Sequence, residues 1–313
     1  MNILLTSAAA KIQLLEAFKA VAHARGGRLV AIDVDPLCCA AQFADDFVLA
    51  PYDSDTDYAE AILGLCEAHA IGLVIPTRDA ELPLLAALAG DLAARGTVVA
   101  VSPLDALAVC QDKLAFHAFC TAHGFPVLPN LADADAWGAP MFIRHRRGKG
   151  PLTNLRIDGD EDIRRLFPDR SDYLVQRSLD GQEYSCDLLM DLEGRPLQCF
   201  VRERQRLVAG ESWRTRSVDI PAISTLACAL GETLSLRGHN LIQLFWSEEE
   251  GAHLTEVNAR FGGASNLSIH GGLASPERLA LLAEGKIEDA CAPRPLQIGL
   301  TMLRYSQDMF RTL

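Results

Sequence analysis

The run Asn240-Leu241-Ile242-Gln243-Leu244-Phe245-Trp246, followed by Leu254-Thr255-Glu256-Val257-Asn258-Ala259-Arg260, decides how the rest of the chain is read. Between the two lies Glu248-Glu249-Glu250-Gly251, a polar turn ending in glycine, so the pair reads as a β-hairpin. A symmetric turn sets Gln243 opposite Glu256, with Cβ atoms roughly 4.5–5.5 Å apart. Strand alternation then puts Glu256, Asn258 and Arg260 on one face beside Gln243 and turns Val257 and Ala259 away. A carboxylate, two carboxamide oxygens and a guanidinium make poor packing material. They suit Mg²⁺ and a polyphosphate, because magnesium takes one or two carboxylates and completes its octahedron with phosphate oxygens and water. Arg260 would meet a transferring phosphoryl group and offset its developing charge. The competing reading is a solvated sheet face with a Glu256–Arg260 ion pair, and the hairpin alone does not separate the two.

Other polar clusters favour phosphate. Ile143-Arg144-His145-Arg146-Arg147-Gly148-Lys149-Gly150 ends a strand in a basic loop whose glycines let backbone N–H groups close on phosphate oxygens. A plain basic surface loop would look the same in isolation, but here it stands out against a formal net charge of -12. Asp112-Lys113 opens a helix and could place another ammonium on a nucleotide. Tyr173 to Glu183 reads as strand, turn, strand. It is either a hinge that offers backbone groups to an adenine edge and Glu183 to ribose hydroxyls, or a connection between subdomains.

Towards the N-terminus, strands at Ile3–Leu5, Leu29–Ile32, Leu73–Ile75 and Val98–Val101 alternate with helical patterns at 11–23, 58–69 and 82–94. This spacing predicts βαβ units and a parallel, doubly wound sheet with its ligands at the carboxyl ends of the strands. Asp33 and Asp35 invite a dinucleotide reading, but the first turn, Thr6-Ser7-Ala8-Ala9-Ala10, lacks the glycines that a GxGxxG fingerprint needs. After a helix at 113–123, strand-rich segments at 141–144, 173–176, 184–191 and 197–203 predict a mixed or antiparallel sheet, with Glu193-Gly194 as a hairpin turn. Asp79 and Glu81 either recognise an amine or cap the helix that follows them.

The 313 residues are 49% hydrophobic and 22% charged, a globular composition, and the acidic balance argues against nucleic-acid and membrane partners. Nine cysteines without a CxxC pair read as reduced thiols, and no Ser/His/Asp or Cys/His arrangement presents itself. The N-terminus lacks the features of a signal peptide, and the apolar stretch 82–94 is too short to span a bilayer, so a cytoplasmic protein is expected.

Taken together, these residues resemble the ATP-grasp superfamily, most of all the halves of the carbamoyl phosphate synthase large chain and single-module carboxylate–amine ligases. The resemblance covers nearly the whole chain. Its most specific motif is Asn240 to Gln243 followed by Thr255-Glu256-Val257-Asn258-Ala259-Arg260-Phe261-Gly262-Gly263. Ile75-Pro76-Thr77-Arg78-Asp79-Ala80-Glu81 looks like the strand-end signature of the pre-grasp domain. The resemblance implies an α/β and α+β chain: a Rossmann-like pre-ATP-grasp domain of parallel sheet at 1–108, an A subdomain with a phosphate flap at 109–180, and a C subdomain at 181–313. The two α+β subdomains would clamp ATP.

By position, it implies that Lys113 and Arg144 contact the phosphates and that Gly148-Lys149-Gly150 belongs to a closing flap. Gln176, Arg177 and Leu179 would form the adenine hinge and Glu183 would hold ribose. Gln243, Glu256 and Asn258 would hold Mg²⁺, or Mn²⁺ in its place, with Arg260 catalytic and Arg204 or Arg206 near the γ-phosphate or the substrate. Phe261 to Asn266 would line the acceptor site. Arg177 departs from the usual Glu, His145 and Ala259 from the usual Pro, and the flap is more basic than is common. The implied activity is ATP-dependent ligation of a small carboxylate to an amine, or to a thiol, through an acylphosphate. The alternative is a nucleotide-binding regulatory or partner module with little turnover. A homodimer is a family-level expectation.

Overall fold

The computed structural model describes residues 1–9, 11–132, 140–148, 154–157, 171–179 and 181–310. Lys149 and Gly150 of the flap, and Asp180 of the hinge, lie outside the described residues.

Strands β1 (Asn2–Leu5), β2 (Leu29–Asp33), β3 (Asp46–Leu49), β4 (Ile71–Ile75) and β5 (Val98–Val99) form a parallel sheet in the order β3-β2-β1-β4-β5. Strands β1 and β2 are apolar on both sides: Ile3 and Leu5 enter one core and Leu4 the other, as do Leu29 and Ala31 against Val30 and Ile32. Burial on both faces is what a parallel sheet flanked by helices requires. The helices Ile12–Ala24, Tyr58–Ala68 and Leu82–Ala94 supply the cover.

A three-stranded antiparallel sheet follows, β7-β6-β8, from β6 (Met141–His145), β7 (Asn154–Ile157) and β8 (Tyr173–Arg177). The remaining strands build a six-stranded sheet ordered β13-β12-β9-β10-β11-β14, with β9 (Gln182–Met190), β10 (Pro196–Val208), β11 (Glu211–Ser217), β12 (His239–Ser247), β13 (Gly251–Asn258) and β14 (Thr301–Leu303). The β9–β10 hairpin turns where expected, with Gly194 at φ +89°. The helix Pro221–Thr233 packs on one face of this sheet, where Gly231 leaves no room for a Cβ against Leu188. The two larger hydrophobic cores draw residues from the parallel sheet and from the six-stranded sheet, so these two sheets share their interiors.

Candidate active site

The β12–β13 register pairs Gln243 with Glu256, Leu241 with Asn258 and Ile242 with Val257. Nearer the turn the pairing runs Leu244 with Leu254 through Ser247 with Gly251, so one extra residue is accommodated at Thr255. This β-bulge explains an otherwise odd spacing. Leu254 and Val257, three residues apart, both enter the same core, which strict alternation forbids. The bulge resets the alternation, and Glu256, Asn258 and Gln243 are left half-buried on the opposite face.

The freed Thr255 carbonyl is not orphaned. Arg144, on β6 of the small sheet, donates Nη1 to it at 2.9 Å and Nη2 to Gln176 Oε1 at 2.7 Å. Gln176 in turn donates Nε2 to the Leu128 carbonyl at 2.7 Å. Arg144 and Gln176 are both buried, and burial pulls the guanidinium below its ordinary pKa against the opposing fields of Glu256 and Glu183. The expected phosphate-facing Arg144 is therefore turned inward, tying the small sheet to the bulge. Likewise the Gln176 side chain is engaged inside and leaves only backbone for a hinge.

Around Glu256 the polar groups form one chain. Asn258 Nδ2 donates to Gln243 Oε1 at 3.3 Å and to Glu256 Oε1 at 3.4 Å. Gln243 Nε2 donates to Glu183 Oε1 at 3.2 Å, and Arg204 forms an ion pair with Glu183. Arg204 also donates to Ser212 Oγ and the Gly210 carbonyl, so this cation is held by its own sheet. An N–H donor bridging two acceptor oxygens marks a point at which positive charge is favoured. Gln243, Glu256 and Asn258 are hard oxygen ligands with a single carboxylate among them, a set that fits Mg²⁺ when phosphate oxygens complete the shell. Among the described residues no group of three His, Cys, Asp or Glu side chains converges as a metal site.

Facing this sheet is the helix Lys113–Ala122. Asp112 caps it, accepting from the N–H groups of Leu114 and Ala115. Asp112 also takes Arg146 at 2.6 and 2.9 Å, with Arg147 at 3.4 Å. Burial alone would raise its carboxyl pKa, yet the Arg146 and backbone hydrogen bonds hold it below the ordinary value. Part of the flap's positive charge is thus spent on its own anchor. The Lys113 N–H donates to the Arg146 carbonyl at 2.8 Å, and Lys113 Nζ lies 3.4 Å from the Gly148 carbonyl. Arg177, expected at an adenine hinge, is exposed and pairs with Glu250 of the hairpin turn at 2.8 Å. Leu179 is half-buried beside it.

Arg260 reaches the other way. It pairs with Asp79 at 2.5 Å across 181 residues of sequence and donates to the Phe261 carbonyl at 3.0 Å. Asp79 therefore faces the site, whereas Glu81 is buried and accepts from Thr6, Ser7 and the N–H groups of Thr77 and Arg78, a structural role. Phe261, expected at the acceptor site, is a core anchor instead. It stacks on His239 at 4.0 Å and meets Phe18 edge-on. The segment after it is held by Ser265, whose Oγ donates to Asp187 at 2.6 Å and accepts from the Gly262 N–H at 2.9 Å. Asp187 also pairs with Arg202 at 2.8 Å in the interior. No local pattern announces this buried network, because its members come from four separate segments.

One cavity of about 580 Å³ gathers Asp79, Lys113, Gly148, Glu256 and Asn258, with Leu104 and Leu107 on its apolar wall. Lys113, Gly148, Glu256 and Asn258 among the expected residues thus line a common space, while Gln243 and Arg260 flank it.

Comparison with known proteins agrees with this architecture. The family model described as "PylC-like, N-terminal domain" matches residues 3–100, and that described as "ATP-grasp in the biosynthetic pathway with Ter operon" matches residues 169–306. No curated protein matches the sequence. A Rhizobium etli pyruvate carboxylase variant with acetyl coenzyme A superposes with TM-score 0.73 at 14% identity, covering 96% of this chain and 30% of that one. The biotin carboxylase domain of Hydrogenobacter thermophilus 2-oxoglutarate carboxylase, with MgADP and bicarbonate, gives 0.72 at 14%, covering 90% of this chain and 69% of that one. An L-amino acid ligase from Bacillus licheniformis gives 0.67 at 15%, covering 93% and 77%. Residues 3–100 thus match a PylC-like N-terminal domain and residues 169–306 an ATP-grasp domain, and the fold is that of the ATP-grasp proteins.

Proposed function

We propose that the chain is a Mg²⁺- and ATP-dependent ligase that joins a small carboxylate to an amine, releasing ADP and phosphate through an acylphosphate. The observation that carries the reading is the shared cavity: Glu256 and Asn258 on one wall, Lys113 and Gly148 on the other, with Arg260 at its edge. The MgADP of the Hydrogenobacter domain and the activity named for the Bacillus ligase support it. On this reading 1–108 is the pre-grasp domain, 109–180 carries the flap and 181–313 carries the catalytic face.

Lys113 would hold phosphate oxygens under the flap that starts at Gly148. Gln243, Glu256 and Asn258 would hold Mg²⁺, which when bound would neutralise the phosphates. Glu183 would meet ribose after exchanging Arg204 for it, and the Leu179 backbone would meet adenine. Arg260 would leave Asp79 and stabilise charge on the phosphoryl group in flight. No covalent nucleophile is required, because positioning and electrostatics do the work. The latched state of Arg260, with Glu183 held by Arg204, favours as second reading an ATP-binding module of low turnover. A phosphate-release screen pairing carboxylates with amines, with and without Mg²⁺, decides between them. Substrate-stimulated, metal-dependent release together with a new amide is expected, and ATP binding without stimulated release would favour the second reading.

A further inference from the structure

Lys11 has no place in the reaction as described, yet it stands beside it. It follows the turn after β1, and its Nζ donates to the Thr77 carbonyl at 2.6 Å and to Thr77 Oγ1 at 2.7 Å. Thr77 is buried, and its hydroxyl is directed to the carbonyls of Thr6 and Ser7 at 2.7 and 2.9 Å. The ammonium is therefore clamped at the carboxyl ends of β1 and β4, where parallel sheets collect ligands. Both of its hydrogen-bond acceptors among the described residues are neutral. Glu81, which could have answered it, spends its oxygens on hydroxyls and N–H groups of the same loops.

The surroundings add positive charge. Burial and the guanidinium of Arg260 pull the Lys11 ammonium down to about 8, against the opposing fields of Glu81 and Asp79. The helix Ile12–Ala24 that Lys11 precedes has no acidic residue in its first turn and no side-chain cap among the described residues, which adds the positive partial charge of its N-terminus. Lys11 and Arg260 thus hold the same short segment after β4, the one at Thr77 and the other at Asp79 two residues on. Like charges brought together in this way are unfavourable, and an anion settling between them relieves both.

We propose that Lys11 is a specificity residue for a second anionic group on the substrate: the carboxylate that ATP activates faces Arg260, and a further carboxylate or phosphate on the same molecule sits on Lys11 Nζ. This deepens the ligase reading and rests on it. The substrate class is a dianion, and a monocarboxylate of equal length leaves Lys11 unmatched.

The test uses the whole chain loaded with Mg·ADP, titrated at constant ionic strength with glutarate, 3-phosphopropionate and butyrate. The wild type should bind at least one dianion about tenfold or more tightly than butyrate, the scale of one charge-assisted contact. Lys11→Gln keeps a donor for Thr77 but no charge, and should shrink that margin to about twofold or less while Mg·ADP affinity is unchanged; Lys11→Arg should restore it. Which dianion is preferred tells carboxylate from phosphate. Equal binding of dianions and butyrate, or a margin that survives Lys11→Gln, would overturn the assignment and leave the ligase reading standing. A wild-type chain that ignores Mg·ADP would overturn both.

Discussion

Replacing Arg144 by Met separates two roles that the same residue type can play. A phosphate-binding arginine can be removed at little cost to the fold. Here, however, Arg144 supplies the hydrogen bonds to two buried acceptors, the Thr255 carbonyl freed by the bulge and Gln176 Oε1. An acceptor left without its partner in the interior costs about 1–3 kcal/mol, so the two together cost about 2–6 kcal/mol. Removing a guanidinium that burial already disfavours returns part of this, and its Nε has no hydrogen-bond partner to lose among the described residues. A net loss of about 2–4 kcal/mol in urea unfolding is expected. Gln176→Leu should also destabilise, and the double variant should be less destabilised than the sum by about 1 kcal/mol or more, because each single change strands the other partner. Hydrogen exchange should accelerate around Thr255 to Asn258 in Arg144→Met, since the bulge loses its tie. If that variant unfolds within about 0.5 kcal/mol of wild type while nucleotide binding collapses, Arg144 serves the phosphates and the account of the bulge is wrong.

Arg260→Ala should abolish substrate-stimulated phosphate release while Mg·ATP affinity stays within about threefold, because its contribution is weighted to the transition state; an equal fall in both would contradict that role. Asp187→Asn weakens the only carboxylate contact that Arg202 makes among the described residues in a fully buried position and should cost about 3–5 kcal/mol in denaturant unfolding. Acid should destabilise the chain through Asp45 and Asp112. Burial alone would raise Asp45, but the Leu29 N–H, His23 and Lys19 reverse this and hold it at about 2. A depressed folded-state value means that its contribution is complete above the unfolded value near 3.9 and is lost as pH falls through the folded one. Stability should therefore fall between about pH 4 and 2, and Asp45→Asn should flatten that part of the profile, which equilibrium unfolding at stepped pH would read.

The Gln243–Glu256 pairing was legible because residue type and turn symmetry both point to it. The route to it was not. The observed turn pairs Ser247 with Gly251, and only the bulge at Thr255 restores the register at the site. Local pattern does not reveal a bulge whose reason is a carbonyl offered to an arginine 111 residues earlier. The parallel sheet followed from strand–helix spacing, whereas β3, the helix Pro221–Thr233 and the edge strand β14 carry weak local signals and are fixed by packing. Phe261 shows the same limit. Its place in a glycine-rich loop suggested a lining residue, but the hydrophobic contact with Phe18 and stacking on His239 draw it inward. Charges misled similarly: Arg146 and Arg204 look available for phosphate in the sequence, and each meets a carboxylate on another segment of the chain.

The most direct test of the catalytic face is calorimetric titration of the full chain with ATP, with Mg²⁺ present and with it chelated, for the wild type and for Glu256→Ala. Magnesium-dependent binding that falls at least about tenfold in Glu256→Ala, with the fold intact by circular dichroism, is the expected result. Binding that ignores both the metal and Glu256, or no binding by the wild type, would contradict the assignment of this face to metal-bound triphosphate.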